Sequence, residues 1–416
     1  MRYEISGGAP LHGAVRVSSA KNSALKLMAA SLLAESPSMI SNMPDITDVK
    51  TMIGVLRGLG AKVEYKGSDT IIVDPSALSS WEAPENLVRE MRASIQVLGP
   101  LLARLGRARV LQPGGCDIGP RPIDLHLKGF RALGANINDE RGFICASATK
   151  LTGAEIHLDF PSVGATENIM MAACLAEGTT IIRNAAREPE IVDQQNFLNK
   201  MGAKVQGAGT DTIKIHGVKR LIGTEYQPIP DRIEAGTMVV AVAITGGDAW
   251  VENVIPEHVN AVTSKLREAG VEIIEEDSRM RVMARGPIKA ISIRSLPYPG
   301  FPTDMQPQMS ALLSFAQGTS IITENIFPNR FRYIEELRRM GADIKLEGRV
   351  AIIHGKSKLL GADVEAPDLR GGAALVLAGL AADGVTRVSN IWHIERGYER
   401  MAEKLASLGA KIVRVA

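Results

Sequence analysis

Aromatic side chains are scarce: Phe, Trp and Tyr make up 4% of the 416 residues. Cysteine is scarcer, at three, an odd number with no framework spacing. This excludes a disulfide-stapled secreted fold and fits free thiols in a reducing cytoplasm. Long apolar runs are missing too. Stretches such as residues 238–244 fall far short of the roughly 20 residues that cross a bilayer. The opening Met1-Arg-Tyr-Glu-Ile-Ser-Gly-Gly contains no apolar signal core. The net charge is only +2, which argues against a nucleic-acid partner. What is present is an ordinary globular mix, 45% apolar and 23% charged. A chain this long exceeds one ordinary core and implies two or three domains.

One phrase recurs: the end of an apolar helix, then Gly, then a short strand. Its glycines are Gly60, Gly134, Gly202, Gly270, Gly341 and Gly409, which by subtraction lie 74, 68, 68, 71 and 68 residues apart. Gly after the last apolar residue of a helix is the usual left-handed cap. Each copy fills in alike. A strand ends near Asn or Gln (Asn42, Gln112, Asn184, Asn253, Asn325, Asn390). A loop leads to an amphipathic helix, as at residues 331–340, where Ile334, Leu337 and Met340 share a face. After the Gly comes a hairpin, such as residues 204–206 with 212–216. A second helix, apolar nearly all round and hence buried, completes the unit: residues 167–176, 237–244, 309–315 and 373–381. The sixth copy lacks a hairpin partner, and Tyr3-Glu4-Ile5-Ser6-Gly7 matches the missing strand. The expectation is an α/β protein of two domains, each of three β-α-β-α-β-β units. One spans residues 21–229; the other joins 1–20 to 230–416. A ligand cleft between two such domains is the default.

Polar residues collect where the buried helices start: Lys21-Asn22, Arg92, Ser162-Val163-Gly164, Asp231-Arg232, Asp304 and Asp368-Leu369-Arg370. Asp231 and Asp368 read as helix caps. Cations there oppose the positive end of the helix dipole, so Lys21, Arg92, Arg232 and Arg370 call for an anion. Arg121, Arg330 and Arg396 occupy equivalent loops in units two, five and six. Clustered cations in a nearly neutral protein point to a small polyanionic substrate. The loop of unit two is the longest. Gln112 to Gly134 is 22 residues, against 16 from Asn325 to Gly341 and 19 from Asn390 to Gly409. Its extra residues are Gly114-Gly115-Cys116, and insertions on one face of a repeat usually carry function. Standing alone, the loop would read as a Gly-Pro turn with an incidental Cys. Cys145 and Cys174 lie in apolar runs and read as inert core thiols.

The segment Pro113-Gly114-Gly115-Cys116-Asp117-Ile118-Gly119-Pro120-Arg121-Pro122-Ile123-Asp124-Leu125-His126 resembles the signature of one enolpyruvyl transferase family. Its members act on UDP-N-acetylglucosamine in bacterial peptidoglycan synthesis. Residues 19–22, 162–168, 301–304 and 368–370 fall where that family has them, and the resemblance spans the chain. It implies two inside-out α/β barrel-like domains. It also implies transfer of the enolpyruvyl group of phosphoenolpyruvate to the sugar 3-hydroxyl by addition and elimination, with no metal and no cofactor. Cys116 then donates a proton to the methylene carbon, and Asp304 serves as base or orients the hydroxyl. Lys21, Asn22, Arg92, Arg121, Arg330, Arg370 and Arg396 surround phosphoenolpyruvate, with Lys21 and Arg396 also catalytic. Asn22, Arg92, Arg121, Pro122, Ile123, Asp124, Leu125, Ser162, Val163, Gly164, Asp304 and Ile326 bind the sugar nucleotide. The same resemblance makes Cys116 the target of the epoxide fosfomycin. One departure is Phe160-Pro161, where some members carry Lys. The shikimate-pathway enolpyruvyl transferase is the rival enzyme, but it lacks the Gly-Gly-Cys loop and opens with Gly-Ser-Lys-Ser. A silent paralogue that senses the sugar nucleotide is the rival from another class.

Overall fold

A computed structural model describes residues 1–112 and 123–416. The chain forms two compact units, and their described residues lie at 19–229 and at 1–18 with 230–416. Each unit carries three sheets outside its own apolar core.

The core of each unit is helical. Six helices form these interiors: α1 (Lys21–Ala30), α2 (Leu98–Leu105), α3 (Val163–Ala173), α4 (Arg232–Ile244), α5 (Gln306–Leu313) and α6 (Leu369–Ala381). Every residue of α5 is buried, as are residues 233–244 of α4 and 370–380 of α6. Inside their unit α4, α5 and α6 pack on one another, and in the other unit α2 packs on α3. Apolar residues on all sides leave such helices no face for water, so they sit inside and the half-buried sheets outside. Helices α3 to α6 begin three to five residues before the apolar runs do, by subtraction. The apolar pattern cannot register their first turns; Ser162, Asp231 and Asp368 cap those of α3, α4 and α6, and α5 has no side-chain cap. The helix read over 331–340 starts as a 3-10 turn, Arg330–Tyr333, and continues as Ile334–Arg339.

Five sheets share one strand order: a short parallel strand, the strand before the amphipathic helix, then two antiparallel strands. Unit two departs from it among the described residues. It has three strands, and a single bridge, Glu82 to Arg109, marks the fourth place. The recurring glycines all adopt φ between 92° and 103°. The N–H following each glycine bonds the carbonyl five residues back, as Ala61 to Leu56 at 3.1 Å and Ala342 to Leu337 at 3.0 Å. This is the Schellman closure, and it requires a residue that tolerates the left-handed region. Arg2–Ser6 lies between Val385–Ser389 and Lys411–Val415, antiparallel to both, pairing Arg2 with Ser389 and Val415. Tyr3 and Ile5 enter that unit's core at 2% and 0% exposure.

Candidate active site

In the unit containing residues 230–416, Asp304 joins two arginines. It sits in the 3-10 turn Thr303–Met305 ahead of α5, whose N-cap residue is Met305. Arg330 Nη2 donates to Asp304 Oδ1 at 2.9 Å, and Arg370 donates to Oδ2 from Nη2 at 3.2 Å and Nε at 3.3 Å. The arginine side chains are 2% and 4% exposed, the Asp304 side chain 28%. Asp368 caps α6 by accepting from the N–H of Arg370 and Gly371 at 2.9 and 3.0 Å, which fixes the arginine's backbone. The Arg370 guanidinium lies 5.1 Å from the centre of the Tyr398 ring. Burial works against its charge, and Tyr398 and Asp304 more than restore it. Arg330 Nε is buried without an acceptor among the described residues. The two guanidinium groups thus share one carboxylate, and Asp231 adds further negative charge near Arg370.

That pairing corrects the argument from helix dipoles. Part of the required anion is supplied by the protein: Asp304 answers Arg330 and Arg370, and Asp48 answers Lys21. Sequence spacing gave no signal for these pairs: their members lie within one repeat length of each other but on different elements, and only the packing of those elements brings them together.

In the unit of residues 19–229, Lys21 opens α1 and its Nζ lies 3.0 Å from Asp48 Oδ2, with both side chains largely buried. Asn22 follows it, half-buried. Arg92 opens the 3-10 turn Arg92–Val97 that leads into α2. Ser162 caps α3 by accepting from Ala165 N at 3.3 Å, and Val163 and Gly164 form the first turn, half-buried. Asp124 and Leu125 begin the helix Asp124–Ala132, with Ile123 buried before it. Buried amides tie these segments together. Gln96 Nε2 donates to the Gly164 carbonyl at 3.1 Å. Asn168 Nδ2 donates to the Ile95 carbonyl at 2.9 Å and lies 3.1 Å from His126 Nδ1. Burial, with a contribution from Arg92, pushes His126 down to about 3, so it is neutral at physiological pH. A Cβ on Gly164 would come within 3.1 Å of His126 Nε2, so glycine is what lets this turn approach the helix. Gln96 and Asp48 are thus structural partners of candidate site residues that the motifs did not include. Asn168 and His126 stand at the ends of quoted motifs and were within reach.

Other expected site residues are placed singly. Ile326 is half-buried, and its N–H donates to Glu324 Oε1 at 2.7 Å. Arg396 is half-buried at the end of the short helix Trp392–Glu395. Arg232 lies 5.7 Å from the Tyr298 ring centre. Cys116, Arg121 and Pro122 lie outside the described residues. Of the other thiols, Cys174 is fully buried, and burial pushes it up to about 12. Cys145 is not a core thiol. Strand Phe143–Ser147 turns Ile144 and Ala146 inward, so Cys145 faces outward and is half-buried. Burial, with Glu140 behind it, still raises its pKa.

A family model described as EPSP synthase (3-phosphoshikimate 1-carboxyvinyltransferase) matches residues 5–405. UDP-N-acetylglucosamine 1-carboxyvinyltransferase 3 of Caldanaerobacter subterraneus subsp. tengcongensis is 55% identical over 414 residues, covering 100% of this chain and 99% of its own. The chain belongs to the enolpyruvyl transferase family. UDP-N-acetylglucosamine 1-carboxyvinyltransferase 2 of Carboxydothermus hydrogenoformans is 56% identical over 416 residues, covering 100% of this transferase and 99% of its own length. The crystal structure of the enolpyruvyl transferase NikO from Streptomyces tendae matches with a TM-score of 0.89 at 28% identity, covering 99% and 98% of the two chains. The transferase fold is the inside-out α/β arrangement, helices within and sheets without. Among the described residues none of the sheets closes into a barrel, and no helix is long and apolar enough to cross a membrane.

Proposed function

We infer that this protein transfers the enolpyruvyl group of phosphoenolpyruvate to the 3-hydroxyl of UDP-N-acetylglucosamine, releasing phosphate, in peptidoglycan precursor synthesis. The observation that carries the reading is 55–56% identity over the full chain to relatives bearing that activity's name. The shikimate reading has behind it the family model's description and the fold of EPSP synthases from Acinetobacter baumannii, which are only 19% identical. The same inference places the protein in the cytoplasm, with domains at 21–229 and at 1–20 with 230–416. The compact units support that division.

The chemistry has two steps. In the first, the sugar oxygen bonds to C2 of phosphoenolpyruvate while C3 gains a proton. In the second, C3 loses a proton and the C2–phosphate bond breaks. Cys116 supplies the proton to C3, and Asp304 accepts a hydrogen bond from, or the proton of, the sugar hydroxyl. Lys21, Arg92, Arg121, Arg330, Arg370 and Arg396 hold the phosphate and carboxylate and stabilise the tetrahedral intermediate. Asn22, Ile123 to Leu125, Pro122, Ser162 to Gly164 and Ile326 contact the sugar nucleotide. The amide ties among Gln96, Asn168 and His126 support a common site for the helix start at Asp124 and the turn at Ser162.

The test is product mass spectrometry with both substrates, repeated on Cys116 variants. Wild type should yield the enolpyruvyl sugar nucleotide and one phosphate. Cys116→Ser should lose most turnover, because a hydroxyl is a much weaker acid than a thiol. Cys116→Asp should retain activity and resist fosfomycin. Phosphate release without an enolpyruvyl product, or normal turnover by Cys116→Ser, would overturn the assignment.

A further inference from the structure

Three strands of the repeat, Thr179–Arg183, Asp248–Glu252 and Val385–Ser389, are followed directly by Asn184, Asn253 and Asn390 at φ of 53°, 58° and 56°. Asn tolerates the left-handed region better than other residues with a side chain. Asn184 and Asn253 also clamp the end of the neighbouring parallel strand, donating from Nδ2 to the Leu158 and Val17 carbonyls at 2.7 and 2.6 Å. The strand Thr319–Thr323 breaks the pattern. It is followed by Glu324, and the clamp passes to Asn325, whose Nδ2 donates to the Ser295 carbonyl at 3.0 Å. Glu324 is therefore surplus to what the repeat needs at this turn.

Glu324 is also fully buried. A carboxylate in that position is costly unless its oxygens are hydrogen-bonded. Here they are. Oε1 accepts from Ser295 Oγ at 2.8 Å, Ile326 N at 2.7 Å and Phe327 N at 3.1 Å, and Oε2 accepts from Thr303 Oγ1 at 2.9 Å. All four donors are neutral, so the group is a hub of hydrogen bonds, not half of an ion pair. Thr303 precedes Asp304 in the same 3-10 turn, and Ile326 and Phe327 open the loop that ends at Arg330. One carboxylate thus joins the Asp304 turn to the Ile326 loop, while Arg330 closes the same ring from the other end by pairing with Asp304.

We propose that Glu324 is a positioning residue for enolpyruvyl transfer, fixing Asp304 relative to the Ile326 backbone in the sugar-nucleotide site. This rests on the reading of Asp304 and Ile326 as contacts to that substrate. Glu324→Gln has nearly the same shape but brings two N–H donors into a site that supplies only donors. Displacing a substrate contact by about 1 Å typically costs on the order of a hundredfold in rate. The full-length protein is assayed for KM and kcat with each substrate, for calorimetric binding of UDP-N-acetylglucosamine, and for melting temperature. Glu324→Gln should lower kcat/KM for the sugar nucleotide about a hundredfold while leaving the KM for phosphoenolpyruvate near wild type. Thr303→Val should reproduce the direction of that loss, and Thr303→Ser, which keeps the hydroxyl donor, should recover it. If Glu324→Gln does not fold, the Thr303 pair decides. A KM for phosphoenolpyruvate raised as much as that for the sugar nucleotide, normal kinetics in Glu324→Gln and Thr303→Val, or no difference between Thr303→Ser and Thr303→Val would overturn the role. Wild-type protein that makes no enolpyruvyl sugar nucleotide would instead remove the functional reading, and this role with it.

Discussion

The motif singled out Asp304 as a candidate, but it did not reveal its partners. A carboxylate at a helix start reads first as a cap, and capping depends only on local sequence. Arg330 and Arg370 lie 26 and 66 residues away and meet Asp304 only because the units of the repeat fold together. The consequence is testable. Asp304→Asn should cut turnover by about a hundredfold, the scale of a lost acid–base group. It should also lower stability, because it removes the carboxylate the two buried arginines share. Breaking a buried pair costs about 3–5 kcal/mol, and solvent reaching the 28% exposed Asp304 side chain reduces that to roughly 1–2 kcal/mol here. Turnover assays and thermal melts on one preparation separate the two effects. A melt shifted down with turnover retained would make Asp304 purely structural.

At the scale of the element, α3 carries a charge its apolar pattern conceals. Glu167 is fully buried beside Lys26 Nζ at 3.3 Å and Gln96 Nε2 at 3.3 Å. Burial outweighs the lysine and pushes Glu167 up from about 4.5 to about 7. The folded state therefore binds this proton more tightly than the unfolded state. Stability from Glu167 is complete below pH 4.5 and is lost as pH rises through 7. His126 has the opposite sign: its contribution is present above about pH 6.5 and is lost on acidification toward 3. Denaturant melts from pH 5 to 8 should show Glu167→Gln with a flatter alkaline decline than wild type. A shift of this size corresponds to about 3 kcal/mol over the full range. Parallel pH curves for the two proteins would mean that Glu167 stays ionised in the fold.

For the molecule as a whole, Arg2–Ser6 is a central strand of the unit formed mostly by residues 230–416, although more than 200 residues separate them in sequence. The match between Tyr3 to Gly7 and the hairpin strands of other units made this readable in advance, because an orphan strand at the end of the sixth repeat requires a partner. Ile5→Ala should behave as a core mutation and not as a change in a frayed terminus. Deleting a fully buried Ile side chain beyond Cβ typically costs 2–5 kcal/mol, a fall in Tm of roughly 4–20 °C for a unit of about 200 residues. An unchanged melting curve would place the strand outside the cooperative core.

The repeat was settled by sequence alone. Six glycines after helix ends, the alternation of strands and the all-apolar helices are local patterns, and local patterns survive reading one residue at a time. The resemblance carried the family and its reaction for the same reason, since contiguous motifs hold them. Tertiary structure decided the pairings: Lys21 with Asp48, Asp304 with two arginines, and the hub at Glu324. It also turned Cys145 outward, because strand alternation fixes a face only once the core side is known. Among the described residues it left unit two with three strands where the repeat led one to expect four. Sequence periodicity reports which face of an element is apolar, whereas charge pairing depends on which elements that apolar packing brings together.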